Sequence, residues 1–390
     1  MSKTSRVLDR LLCAGLGTLL DRVLPSGCRI VEAAAVPAAR RFAIIRAHYG
    51  PRWILPLQWE CAEPVVRQWT PFDLLSRVIW SATTLAHRHG RLGLSPGTVT
   101  FGVTGGDWAD WSKLGAGAPL PATPIFQIGR PTPMQKAAVA LVRQDRGVDR
   151  LVKVAMGPSA WPFVEREHRQ LQQLEALRSD VAPAPLGLFP DRQMMAQSWV
   201  EGRMELHWEI KALREFLRRF ERPRPTSLAA VAARYHDRLQ RLEHSTTRDL
   251  LLRLVEGVRC ATAVPETYFH GDFAKWNLIR GRDDAIRAVD WEYADPDGAP
   301  LLDLFHHLLA DTFWFSRKPS LRAAGHIALE REASTIAPDL DRLGAPWCYA
   351  EEALKLYFVI LFTTRHNAEW QGETLSPALA RFAASFESSR

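Results

Sequence analysis

The sequence has few cysteines, few lysines and no long apolar run. Its five cysteines are an odd number and contain no Cys-x-x-Cys pair, which argues against a disulfide framework and against a cysteine zinc site. The longest apolar stretches, residues 11–20 and 356–362, are too short to span a bilayer, and no cleavage signature follows the first. We therefore expect a cytoplasmic protein without a membrane span.

Basic residues outnumber acidic ones without forming a block. The chain has 50 Lys and Arg against 43 Asp and Glu, a net charge of +7, and only eight of the basic residues are lysines. The densest basic run, 214–224, is interrupted by Glu215 and Glu221, whereas nucleic-acid-binding tails carry unbroken blocks of charge. We expect no nucleic-acid partner; the positive balance is compatible with nucleotides or anionic lipid.

The first 118 residues carry no motif with a chemical meaning. Their pattern predicts helices at 7–23 and 72–89 and strands at 41–47 and 53–57, and a Gly- and Pro-rich linker follows at 115–124. Six tryptophans in this region are typical of a core or an interface. The sequence leaves three roles open for it: a lid over an acceptor, a dimerisation element or a docking surface.

The rest of the chain predicts a small sheet followed by helices. Residues 119–202 contain three strand-like runs, a helix that begins at Pro162 and two further strands. Residues 203–390 show mostly helical periodicity. The expected fold class is α+β, with a small β-rich lobe (119–202) and a helical lobe (203–390), preceded by an additional α+β region (1–118).

One segment concentrates residues suited to phosphate chemistry. Apolar runs on either side of the turn at 281–284 predict a hairpin that sets Asn277 opposite Asp290, within one residue of register. An amide oxygen and a carboxylate so placed suit Mg²⁺. Asp272 lies in the loop that enters the hairpin, where it is placed to take a proton from a hydroxyl. Together the three residues predict a metal-assisted phosphate transfer.

Lys153 and Glu167 provide an independent indication. Lys153 lies in the apolar run 151–156, where an unpaired ammonium would be unfavourable. Glu167 falls on the apolar stripe of the following helix and also needs a partner. We predict that the two form an ion pair; the alternative is an exposed lysine and a glutamate that reaches solvent.

The pattern His-Gly-Asp-x-x-x-x-Asn at 270–277, with Asp-Trp-Glu at 290–292 and Gly-Ala-Pro-x-x-Asp-Leu at 298–304, resembles the aminoglycoside phosphotransferase and choline kinase group. These are small-molecule kinases with a protein-kinase-like two-lobe fold, and the resemblance covers about residues 120–390. It implies roles for five residues: Asp272 as catalytic base, Asn277 and Asp290 as Mg²⁺ ligands, and His270 and Asp303 as braces of the loop.

The expected phosphate loop departs from this pattern. Residues 129–136 contain one glycine and two prolines instead of a glycine-rich run. Gly129, Thr132 and Lys136 are nevertheless candidates for contacts with phosphate oxygens. Lys275 is a candidate to screen the γ-phosphate, or is simply solvated.

The predicted function is Mg²⁺-dependent transfer of the γ-phosphate of ATP, or GTP, to a hydroxyl of a sugar, amino alcohol or aminoglycoside-like molecule. The alternative is a pseudokinase-like nucleotide-binding or scaffold protein without transfer activity. The oligomeric state and the acceptor stay open, because acidic and aromatic side chains are both available for recognition. The acidic candidates are Glu292, Asp295, Asp297 and Asp311, and the aromatic ones are Trp291, Tyr293, Trp314 and Phe315.

Overall fold

The structure, a computed structural model, describes residues 15–366 apart from 48–49, 72–73, 96–97, 112–113, 115–120, 144, 179, 315–328 and 330–331. The side chains of 178, 247, 311–314 and 365–366 are also outside the description. The start of the predicted helix 7–23, most of the predicted linker 115–124, and the side chains of Asp311, Trp314 and Phe315 therefore lie outside the described residues.

The described residues form fifteen strands and ten helices. The strands are β1 (Arg29–Val31), β2 (Arg41–Ala47), β3 (Gly50–Pro56), β4 (Val99–Thr104), β5 (Ala122–Ile128), β6 (Lys136–Arg143), β7 (Gly147–Ala155), β8 (Pro185–Phe189), β9 (Met194–Ser198), β10 (Arg203–Met204), β11 (Glu221–Thr226), β12 (Val264–Phe269), β13 (Leu278–Arg280), β14 (Ile286–Ala288) and β15 (Asp295–Gly298). The helices are α1 (Gly17–Val23), α2 (Trp59–Gln68), α3 (Leu74–Arg88), α4 (Trp161–Arg178), α5 (Ile210–Arg218), α6 (Leu228–Gln240), α7 (Thr246–Glu256), α8 (Leu302–Trp314), α9 (Ala333–Leu343) and α10 (Trp347–His366).

The chain divides into two compact units. Unit 1 consists of residues 1–204 and 279–292, and unit 2 consists of 205–278 and 293–390. Unit 1 is rich in strands and unit 2 is mainly helical, so the α+β prediction is confirmed. None of the described helices is both long enough and apolar enough to cross a membrane.

Unit 1 is built on one nine-stranded sheet in the order β1-β4-β2-β3-β5-β6-β7-β9-β8. Its strand side chains alternate between two faces, as the pleat requires. Phe42 and Ile44 pack in one apolar cluster with Leu19 of α1, whereas Ala43 packs in a second cluster with Val65 of α2. Both faces of the sheet are therefore covered.

The nine-stranded sheet does not follow the sequence division at residue 118. Strand β3 pairs with β5 through Trp53 with Gln127 and Ile54 with Phe126, so the first 118 residues and the segment 119–202 share one sheet. The short hairpin β13–β14 also belongs to unit 1, with β10 as its neighbour. The sequence analysis had assigned that hairpin to the helical lobe.

Unit 2 combines helices with a three-stranded sheet in the order β11-β12-β15. Helices α6, α7, α8 and α10 bury their apolar faces in one core. Strand β11 was not predicted because its sequence contains two prolines, but it lies at the edge of the sheet, where proline is tolerated. Strand β12 leads directly into the segment 270–277 and so fixes where that segment begins.

Candidate functional site

Unit 1 holds the predicted Lys153–Glu167 ion pair. Lys153 lies on β7, which pairs with β6 and β9 on either side, and Glu167 lies on α4 and is fully buried. The Lys153 Nζ donates to Glu167 Oε1 at 2.6 Å and to Oε2 at 2.7 Å. The expected pairing is present, and both oxygens of the buried carboxylate receive a charge-assisted hydrogen bond.

Asp290 joins this pair from the end of the β13–β14 hairpin. Lys153 Nζ donates to Asp290 Oδ1 at 2.7 Å, and the Asp290 side chain is 35% exposed. The backbone of Asp290 has a φ of +70°, a left-handed conformation that is uncommon for a residue other than glycine. Such conformations concentrate at functional sites.

The electrostatics keep Lys153 charged. Burial alone lowers the pKa of Lys153, but the carboxylates of Asp290 and Glu167 outweigh it and hold this pKa above its usual range. Burial also raises the pKa of Glu167, while the Lys153 charge opposes that rise. One ammonium is therefore shared by two carboxylates in surroundings with little water.

A second ion pair lies beside the first. The Lys136 ammonium contacts the Glu292 carboxylate, and burial raises the pKa of Glu292 to about 7 against the opposing charge of Lys136. Glu167, Asp290 and Glu292 each offer an oxygen, and these atoms lie within 4.8 Å of one another. Carboxylate oxygens are the hard ligands that Mg²⁺ prefers, and Asp290 is the most exposed of the three.

The predicted phosphate loop is closed by its own hydrogen bonds. The Gly129 N–H donates to the Lys136 carbonyl at 2.8 Å, and the Gln135 amide donates to the Gly129 carbonyl at 3.0 Å. A Cβ on Gly129 would lie 2.9 Å from the Lys136 carbonyl oxygen, so glycine is required there. Thr132 is exposed. The loop keeps its shape without a glycine-rich sequence.

Unit 2 contains the segment that follows β12. Asp303, at the start of α8, accepts the His270 N–H at 2.7 Å and the Gly271 N–H at 3.1 Å. Gly271 has a φ of +77°, and a Cβ on it would come 2.5 Å from the Tyr293 carbonyl oxygen. The predicted bracing of the loop by Asp303 is present, and it depends on glycine at position 271.

Asp272 is buried and has two side-chain neighbours. The Asn277 amide donates to Asp272 Oδ2 at 3.0 Å and to the Asp272 carbonyl at 2.9 Å. His306 Nε2 lies 3.0 Å from Asp272 Oδ1, and His306 Nδ1 lies 3.3 Å from the Tyr357 hydroxyl. The sequence does not predict this contact, because a histidine 34 positions after Asp272 carries no local signal.

The hairpin differs by one residue from the predicted register. The Gly281 N–H donates to the Ala285 carbonyl at 2.9 Å, which centres the turn on Asp283. Both strands are three residues long. Strand β13 begins directly after Asn277, and β14 ends before Asp290, so neither residue lies in the paired part of the hairpin. Asn277 ends a 3₁₀ turn in unit 2, whereas Asp290 belongs to unit 1. Lys275 begins the same turn and is half-buried.

Several candidates for acceptor recognition already have partners within their own unit. Asp295 accepts the Arg238 guanidinium at 2.7 Å, and Glu292 contacts Lys136. Trp291 is buried and its indole N–H donates to the Ala288 carbonyl at 2.8 Å. These contacts give Asp295, Glu292 and Trp291 structural roles.

Comparison with known proteins finds similarity to solved structures only. No family model and no curated protein matches the chain. Choline kinase LicA from Streptococcus pneumoniae is 14% identical over 65% of this chain and 90% of its own, with a TM-score of 0.42. An ethanolamine kinase from Plasmodium vivax is 13% identical over 83% of this chain and 91% of its own, with a TM-score of 0.41. An ADP-bound aminoglycoside phosphotransferase is 13% identical over 67% of this chain and 90% of its own, with a TM-score of 0.39.

Proposed function

We propose that this chain is a phosphotransferase that moves the γ-phosphate of ATP, or GTP, to a hydroxyl of a small molecule with the help of Mg²⁺. The observation that carries the proposal is the Lys153 ammonium held between Glu167 and Asp290. In kinases a strand lysine paired with a helix glutamate contacts the nucleotide phosphates, and an aspartate beside them binds the metal.

Asp290 and Asn277 are the proposed ligands of Mg²⁺. The Asp290 carboxylate is partly exposed. The NH₂ group of Asn277 donates to Asp272, which leaves its carbonyl oxygen as the ligand atom. Both are hard oxygen donors that fit this ion. When bound, Mg²⁺ would neutralise charge on the phosphate oxygens.

Asp272 is the proposed catalytic base. The acceptor oxygen forms a bond to the γ-phosphorus, its proton passes to the Asp272 carboxylate, and the bond from the γ-phosphorus to the nucleoside diphosphate oxygen breaks. Asn277 orients the carboxylate from one side and His306 lies on the other. Proton acceptance by a positioned carboxylate and precise alignment supply much of the rate enhancement in such transfers.

The remaining predicted residues contribute charge and backbone donors. Lys153 would contact phosphate oxygens while Glu167 holds it in place. For Lys136 to reach a phosphate it would exchange its contact with Glu292. Gly129 and Thr132 would offer loop donors, Lys275 would screen the γ-phosphate, and His270 would keep the loop in shape.

The first test is thermal unfolding with ATP or GTP, each with and without MgCl₂. A ligand at a hundred times its Kd stabilises the folded state by about 2.7 kcal/mol, so we expect a rise in Tm that depends on Mg²⁺. Asp290→Asn should abolish the rise. Asp283→Asn, on the exposed turn of the same hairpin, is the matched control and should keep it.

The second test is transfer of labelled γ-phosphate to a panel of sugars, amino alcohols and aminoglycosides. We expect at least one labelled product, which disappears with Asp272→Asn. Absence of any Tm shift with either nucleotide would contradict the proposal. A Mg²⁺-dependent shift without any labelled product or Asp272-dependent hydrolysis would favour the nucleotide-binding protein without transfer activity.

A further inference from the structure

Helix α3 presents its apolar side to solvent. Leu74, Leu75, Val78, Ile79 and Leu85 are between 58% and 71% exposed. At 100° per residue they fall on one continuous face of the helix. An ordinary surface helix turns such a stripe toward the core, so the orientation of α3 is inverted.

The opposite side of α3 is anchored to unit 1. His87 is buried, and its Nε2 lies 2.8 Å from the Pro56 carbonyl oxygen. Trp80 packs against Trp53 and Trp69, with ring centroids 5.3 Å and 4.7 Å away. These contacts fix the rotation of the helix, so the exposed apolar face is a built feature of the fold. Exposed apolar patches of this kind mark interaction surfaces.

The charged side chains of α3 itself are basic. Arg77 and Arg88 lie on the helix and Arg91 follows it, while the nearest carboxylates along the chain are Asp73, directly before the helix, and Glu63 on α2. Arg88 is exposed on the flank of the helix beside the apolar face, and Arg77, eleven residues earlier on the same flank, is half-buried. An amphipathic helix with an apolar face and arginines beside it is the kind that lies in the plane of a membrane interface.

We propose that α3 docks on the surface of an anionic lipid bilayer, with its apolar face below the headgroups and its arginines among the lipid phosphates. This inference goes beyond the proposed phosphotransfer and does not depend on it. The helix would lie on the membrane surface and not cross it, since its fifteen residues are too few to span a bilayer.

Charge favours a lipid surface over a second copy of the chain. In a symmetric pair of copies packed through α3, the arginine flanks would approach each other. Helix α3 itself holds no carboxylate to pair them, and like charges in an interface are unfavourable. An anionic bilayer offers its acyl chains to the apolar face and its headgroup phosphates to the arginines.

The test is sedimentation of the full-length protein with vesicles of phosphatidylcholine, alone or mixed with phosphatidylglycerol. We expect binding to the mixed vesicles that weakens as salt is raised. Val78→Ser/Ile79→Ser should weaken binding more than tenfold, because two exposed side chains lose the gain from burial in lipid. Arg88→Gln and Arg91→Gln should each weaken it about fivefold.

Leu177→Ser/Leu186→Ser is the matched control, since both residues are exposed apolar positions of unit 1 outside α3. It should bind like the wild type. Two results would overturn the proposal: wild-type protein that stays in the supernatant with mixed vesicles, or Val78→Ser/Ile79→Ser that binds as the wild type does. A dimer in sedimentation velocity that the same double substitution converts to monomer would also overturn it, and would assign the face to a second copy.

Discussion

The two units hold their acidic groups in different ways. In unit 1, Glu167 and Asp290 share the Lys153 ammonium, so each buried charge has a charge of opposite sign beside it. In unit 2, Asp303 is held by backbone N–H groups, and Asp272 is held by an amide and faces a histidine. In unit 1 the Lys153 charge opposes the rise in pKa that burial causes in Glu167, whereas in unit 2 burial raises the pKa of Asp303 even though its two backbone N–H donors favour the charged form.

This contrast matches the division of labour in the proposed reaction. Phosphate and metal are best met by groups that stay charged, and Lys153 has a raised pKa that ensures this. A catalytic base must instead change its protonation state during the reaction. If Asp272 is the base and Asp290 a metal ligand, as proposed, substitutions in the two sets should have different effects.

The largest effect is expected for Asp272→Asn. An amide has nearly the same shape as the carboxylate but cannot accept the hydroxyl proton, so kcat should fall by about 10²–10⁴-fold. The measurement is steady-state transfer to whichever acceptor the labelled panel identifies. Nucleotide-dependent stabilisation should persist, because the unit 1 residues are unchanged. An undiminished kcat would remove Asp272 from the mechanism.

The next effect concerns stability. Lys153→Met leaves Glu167 buried without its ammonium partner, and breaking a buried pair in this way lowers the free energy of unfolding by about 3–5 kcal/mol. Lys153→Met/Glu167→Gln removes the stranded charge and should recover part of the loss in urea unfolding. Arg287→Met breaks the exposed pair with Asp283 on the hairpin and should leave Tm close to wild type. Equal losses in the single and double variants would contradict the account of a stranded charge.

Much of the sheet and the ion pair could be predicted from the sequence. The run 151–156, which includes the end of β7, is apolar except for Lys153, and Glu167 lies on an apolar stripe of the next helix. Local periodicity therefore indicates that each of the two charges needs a partner. Strand β4 was missed because its six residues include Gly102, which weakens a strand pattern. The division at residue 118 did not anticipate that β3 pairs with β5, since strand pairing over 70 residues leaves no local pattern.

The contact of His306 with Asp272 in the candidate site had no sequence signal. His306 approaches Asp272 because α8 starts at the residues that brace the loop. That contact depends on packing within unit 2 and not on the spacing of the two residues in the sequence.

Helix α3 was predicted from the sequence, but the side that it exposes was not. Its amphipathic pattern predicts a helix, but periodicity alone does not say which face is turned outward, and the contacts of Trp80 and His87 decide it.

A pH prediction follows from Asp303. Burial raises its pKa to about 7 from an ordinary value of 3.8, despite the two backbone N–H groups that favour the charged form. Between about pH 4 and pH 7 the Asp303 carboxyl therefore keeps a proton in the folded protein and loses it in the unfolded chain. The stability that this bound proton contributes is lost as the pH rises. The free energy of unfolding should fall by up to about 1.4 kcal/mol per pH unit in this window. Asp303→Asn should remove this dependence, and parallel pH profiles for the two proteins would contradict it.

The smallest effect is expected for His306→Asn, which tests whether the contact with Asp272 Oδ1 matters for the base. Loss of the imidazole removes one of the two groups that position the carboxylate, and misplacement of a catalytic group by about 1 Å lowers kcat by roughly ten- to a hundredfold. The KM for nucleotide should not change, because the substitution leaves Lys153, Asp290 and Asn277 in place. Tyr357→Phe removes only the hydroxyl beside His306 Nδ1 and serves as the control for packing around the ring. If His306 positions Asp272, kcat should fall in His306→Asn without a change in Tm, and it should fall less in Tyr357→Phe. If Tm falls in His306→Asn while kcat is unchanged, His306 is a core residue without a role in the reaction.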